Sequence, residues 1–162
     1  MYIPDPQIRI FAVESLMRAR SKLGRLARLS KSEYEMLAAF RYQLRQYIHF
    51  SNLAAQAAGI TPRQYQALLA IKGFPGRDAI SVGELAEQLQ IAHHSAVGLV
   101  DRSVEQQLLV REQGSDDRRQ VFVRLSERGE NVLEELVEIH RREVRRLGPR
   151  MEFLLESLMI DE

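Results

Sequence analysis

The chain has 162 residues, 45% hydrophobic and 28% charged, enough for one core-forming domain of ordinary soluble composition. With no cysteine it excludes disulfides, thiolate metal ligands, a cysteine nucleophile and thiol-based redox sensing. The net charge is only +1, so a nucleic-acid role has to rest on pattern rather than on bulk charge.

No stretch approaches the roughly 18 uninterrupted apolar residues of a membrane span. The start, MYIPDPQIRIF, lacks a basic end followed by a long apolar run. The expected location is therefore cytoplasmic, with no membrane partner. Charge is uneven along the chain: residues 1–31 hold seven Lys/Arg against two acids, whereas 126–162 hold six against ten.

Asp5-Pro6 reads as a helix start, with Asp as cap and Pro at the first helical position. Ile8, Ala12, Leu16, Ala19, Leu23 and Leu26 then recur at helical spacing, with arginines between them. Ser32 with Glu33 and Glu35 predicts a second start, for a long helix that ends at Gly59. Thr61-Pro62 opens a third helix that runs through Lys72, and GFPGRDA reads as a turn. Ser81 with Glu84 three residues on is a capping box for the short helix VGELAEQL. A further helix is predicted from about His93 to Gln107.

The period then changes to that of strands. Leu108–Val110 and Val121–Leu125 are β-like and are separated by the polar run EQGSDDRRQ. Ser126 caps a long helix that Gly148-Pro149 is expected to break, leaving a short amphipathic helix at the end. The predicted fold class is mainly α with a small β-hairpin wing. It is a winged helix-turn-helix over 61–125, flanked by dimerisation helices over 32–60 and 126–162, with a basic helical extension over 1–31.

The run LAEQLQIAHHSAVGLVDRSVEQQLLVREQGSDDRRQVFVRLSERG resembles the DNA-binding half of the MarR (multiple antibiotic resistance regulator) family. The upstream AGITPRQYQALLAIKGFPG resembles the family's preceding helix and turn, and the likeness spans about residues 33–160. Asp116, Arg118, Phe122, Leu125, Ser126 and Gly129 fall on the family's D-x-R wing signature. There are two departures: Ser103 stands where the family usually has an apolar residue, and Gln107 where it usually has glycine.

The resemblance implies a sequence-specific transcriptional regulator, a repressor in the first instance. It would bind an inverted-repeat operator in double-stranded DNA as a homodimer and be released by a small-molecule effector such as a phenolic or carboxylate. No cofactor, no metal and no enzymatic activity are expected. His93, His94 and Ser95 occupy the first turn of the predicted recognition helix, where free N–H groups and the positive dipole end favour phosphate. Their alternative is a solvated helix start. A metal site there is disfavoured, because adjacent helical residues point about 100° apart. Ala96 and Gly98 allow close approach to the groove, Ser81 and Arg102 are candidates for the DNA backbone, and binding should weaken as pH rises through the histidine range.

In the wing, Asp116 and Arg118 pair with each other or with the frame to fix the hairpin, while Arg118, Arg119 and Gln120 are candidates for DNA contact, Arg119 in the minor groove. The alternative is a solvated charged loop. Candidate effector-pocket residues are Tyr42, Arg45, His49 and Tyr65, which can equally be interface or core residues. Two other functions fit the same pattern: an architectural DNA-binding protein without an effector, or a protein-interaction module with a degenerate wing.

Overall fold

In the computed structural model the described residues are 14, 15, 17, 18, 30–113 and 121–159. In chain order they form α1 (Lys31–Ala57), α2 (Pro62–Lys72), β1 (Ala79–Ser81), α3 (Val82–Gln88), α4 (His93–Glu105), β2 (Leu109–Gln113), β3 (Val121–Leu125) and α5 (Glu127–Met159). The expected extension over 1–31 and the wing residues 114–120 lie almost wholly or wholly outside the described residues.

Local chemistry sets the helix starts. α1 opens on Ser30 rather than Ser32: the Ser30 hydroxyl accepts the Glu33 N–H, and the Glu33 carboxylate takes the Ser30 N–H in return. The same reciprocal box opens α2 through Thr61 and Gln64, and α3 through Ser81 and Glu84. At α5 the Ser126 hydroxyl accepts the Gly129 N–H at 3.0 Å. α4 begins differently, on Ala92, with no side-chain cap.

The chain divides into two compact units, one built on 54–138 and the other on 6–53 with 139–162. In the first, the sheet order is β1-β3-β2, all antiparallel. Ile80, Leu109, Val123 and Leu125 point from one sheet face into a core completed by Leu68, Ile71, Leu85, Val100 and Leu108. Burying such side chains contributes about 1.5–3 kcal/mol each. β1 is an addition to the predicted hairpin: Ala79, Ile80 and Ser81 pair with Arg124, Val123 and Phe122.

In the second unit, His140 is buried. Its Nε2 lies 2.9 Å from the Ser51 hydroxyl, and Tyr47 and Phe50 meet its ring edge-on. Burial, with a smaller contribution from the Glu143 charge, raises the Tyr47 phenol above its ordinary value. Gln43, Leu147 and Leu154 are also buried, while Leu37, Ile48, Leu53, Val144 and Phe153 remain exposed.

The expected break at Gly148-Pro149 does not occur, and α5 continues through Pro149 to Met159. Proline removes one helical hydrogen bond and crowds the Cβ of the residue before it. Gly148 has no Cβ to crowd, and Leu147 and Leu154, buried on either side, hold the helical path. Among the described residues, no helix is long and apolar enough to cross a membrane.

Candidate nucleic-acid interface

α3, the turn through Gln90 and α4 form a helix-turn-helix, and β2 with β3 forms the hairpin that follows it. Gln90 enters the turn with φ of 51°, and the Ile91 N–H closes it onto the Ala86 carbonyl at 3.0 Å. The buried stripe of α4, Ala96, Leu99, Val100 and Ser103, seats it on the core. Ser103 fits there because its hydroxyl donates to the Leu99 carbonyl at 2.8 Å, satisfying the polar group within its own helix.

The opposite side of α4 faces outward. His93, His94 and Arg102 are exposed, and Ser95, Val97, Gly98 and Asp101 are half-buried. The N–H groups of Ser95 and Ala96 turn back to the Ala92 carbonyl, and no side chain covers the start of the helix. The backbone N–H groups of His93 and His94 and the positive end of the helix dipole are therefore left open at this start, beside the two imidazole side chains. Arg102 lies about 12 Å along the axis from His94. Its Nη1 rests 3.4 Å from where a Cβ on Gly98 would sit, so the missing side chain lets the guanidinium fold along the helix.

The other candidates are placed as follows. Ala96 is fully buried, so it packs α4 onto the core and offers no surface to a groove. The Ser81 hydroxyl is engaged in the capping box of α3. Glu84, the other half of that box, is held below its ordinary carboxylate value chiefly by the Ser81 backbone N–H, with Arg77 adding to it. Asp116, Arg118, Arg119 and Gln120 lie outside the described residues. Tyr42, Arg45 and His49 are exposed on α1, the Tyr42 hydroxyl accepting from Gln46 at 2.9 Å, while Tyr65 is buried in the core of the other unit.

The arginines around the sheet are mostly neutralised. Arg111 pairs with Asp101, Arg124 with Glu112, and Arg77 with Glu84. Arg77 also lies over the Phe74 ring, 4.9 Å from its centroid. At the far end of α4, Arg128 donates to the Gln106 carbonyl and the Ser126 hydroxyl to that of Gln107. The buried Gln64 amide reaches the Gln106 side chain at 2.9 Å. Periodicity alone exposes none of these ion pairs and hydrogen bonds, because each joins residues from different segments of the chain.

Comparison with known proteins gives a family match over part of the chain. Residues 58–120 match the MarR family model. A MarR family protein from Bacillus stearothermophilus is similar in structure, with a TM-score of 0.66, 26% identity, and 82% of this chain and 96% of that one covered. AbsC, a MarR family transcriptional regulator from Streptomyces coelicolor, superposes with a TM-score of 0.66 at 23% identity, covering 82% and 90%. A mutant of S. aureus MepR bound to an oligodeoxyribonucleotide follows at a TM-score of 0.60 and 16% identity, covering 75% and 96%. Among curated proteins no sequence matches significantly. Residues 58–120 thus match the MarR family model, and the chain has the winged-helix fold seen in that family's solved structures.

Proposed function

We propose that this chain is a sequence-specific DNA-binding transcriptional regulator. It acts as a repressor, binds an inverted-repeat operator as a homodimer, and is released by a small phenolic or carboxylate effector. The observation that carries the reading is the outward side of α4: its uncapped start, with His93 and His94 exposed beside it and Arg102 two turns on. Such a helix start offers backbone donors and partial positive charge to phosphate, while the exposed side chains reach base edges in the major groove. The S. aureus relative solved with an oligodeoxyribonucleotide shares the fold and supports the same use here.

Two-fold pairing is supported by the apolar surface left on the long helices, including Leu37, Ile48, Val144 and Phe153. A symmetric dimer carries two α4 helices and so reads two half-sites about one DNA turn apart. Regulation is a population shift: an effector that binds better to a dimer with mismatched half-site spacing weakens operator binding by that differential affinity. Tyr42, Arg45 and His49 remain the candidates for contacting it.

The test is repeated selection of bound duplexes from a random pool, with sedimentation of the same preparation. The expected outcome is one enriched inverted repeat, a dimeric protein, and loss of binding with at least one acid from a phenolic and carboxylic panel. A monomer that enriches no sequence refutes the proposal.

A further inference from the structure

Resting on that reading, we infer that Asp101 is a specificity-determining residue that keeps the wing-root arginine, Arg111, off arbitrary DNA phosphates. Arg111 sits at the middle of β2, paired with Val123 of β3, on the strand that leads into the wing. On the proposed reading, an unpaired guanidinium there would be a cation available to phosphate. Instead it donates to the Asp101 carboxylate of α4. The two side chains are 40% and 46% exposed, so the pair lies at the surface where a duplex would approach.

Half-exposed ion pairs add little to stability. The consequence of this pair is where it holds charge. Asp101 stands next to Arg102, whose guanidinium has no carboxylate partner among the described residues and folds along the outward side of α4 over Gly98. The head therefore presents Arg102 as a usable cation and withholds Arg111. Arg124 and Arg77 are withheld in the same manner by Glu112 and Glu84. Sequence-independent affinity scales with the number of phosphates neutralised, so withholding a cation lowers binding to random DNA more than binding to a site read through base edges.

Asp101→Asn and Arg111→Gln test this, each measured on the selected duplex and on a scrambled one across a salt series. Asp101→Asn frees Arg111. Random-duplex binding should tighten by about five- to tenfold at 0.1 M salt, and the slope of log affinity against log salt should steepen by about 0.9. The preference for the selected duplex should fall accordingly. Arg111→Gln should weaken binding to both duplexes by leaving Asp101 unneutralised, with the slope unchanged. A slope shallower by about 0.9 in Arg111→Gln would mean that Arg111 already contacts phosphate, and it overturns the inference. So does an Asp101→Asn protein with unaltered slope and preference. Should Asp101→Asn not fold, the Arg111→Gln slope decides alone. Failure of the wild-type chain to select any duplex removes the underlying reading instead, so the two failures are distinguishable.

Discussion

Gly129→Ala should destabilise the 54–138 unit far more than an alanine in a helical turn normally does. A Cβ at Gly129 would sit 2.0 Å from the Leu108 carbonyl oxygen and 3.0 Å from its carbon. Both are backbone atoms, so no side chain can swing aside. Leu108 is itself pinned, because its N–H bonds to the Ser103 carbonyl at 2.8 Å, its carbonyl accepts the Ser126 N–H at 3.0 Å, and its side chain is fully buried. Relief requires more than 1 Å of movement at the junction of α4, β2 and α5. Over-packing of a tight site costs about 1–3 kcal/mol. Loss of the Ser126 bond and distortion of its neighbours add about 1–2 kcal/mol, for roughly 2–5 kcal/mol in all. In a chain of this size that lowers Tm by roughly 4–20 °C. The control is Gly83→Ala, where the new Cβ would meet only the Ser81 hydroxyl at an ordinary 3.8 Å; its Tm should hold or rise, since alanine favours the helix. Circular dichroism melts of the two variants decide the matter. A Gly129→Ala protein melting within about 2 °C of wild type would refute the close-approach argument.

Three further outcomes follow from the same geometry. Gln107 has φ of 57° and an exposed side chain, so Gln107→Gly should be neutral or stabilising by up to about 1 kcal/mol, read as a rise in Tm. Pro149→Ala should restore a helical hydrogen bond inside α5 and stabilise by about 1–3 kcal/mol, measured by urea unfolding. Glu84 is depressed below its ordinary value of 4.5, so its contribution to stability is complete above that pH and is lost as pH falls through the folded-state value. Glu84→Gln should therefore flatten the acid side of the Tm-against-pH curve below about pH 5, and an unchanged curve would contradict the capping role.

The parts of the fold that were legible in the sequence are the locally determined ones. The boxes at Thr61-Gln64 and Ser81-Glu84 are each three residues long and need no tertiary information. β1 was not legible, because three residues carry no period and the strand exists only through pairing with β3, some forty positions later. Pro149 was misleading for a related reason: its local cost is real, but Leu147 and Leu154 pack inward on both sides and outweigh it. Within the candidate interface, the exposure of His94 and Arg102 follows from helical spacing, whereas His93 shares the register of the buried Ala96 and Val100 and is exposed because it stands at the helix start. Ala96 shares a stripe with Leu99, Val100 and Ser103, so its burial was readable from the same wheel. The Asp101–Arg111 tie was not readable, since a helix residue and a strand residue meet there only after the turn at Gln107 is closed.

The central claim is that the outward side of α4 grips DNA, and it is tested most directly by removing that surface without touching the buried stripe. A protein carrying His93→Ala, His94→Ala and Arg102→Ala should melt within about 3 °C of wild type, because all three residues are exposed and only surface contacts are lost. Its affinity for the selected duplex should fall by about a hundredfold or more, since each lost phosphate or base contact costs on the order of 1 kcal/mol or more. Retention of the wild-type affinity within about threefold, with the fold intact, would contradict the account.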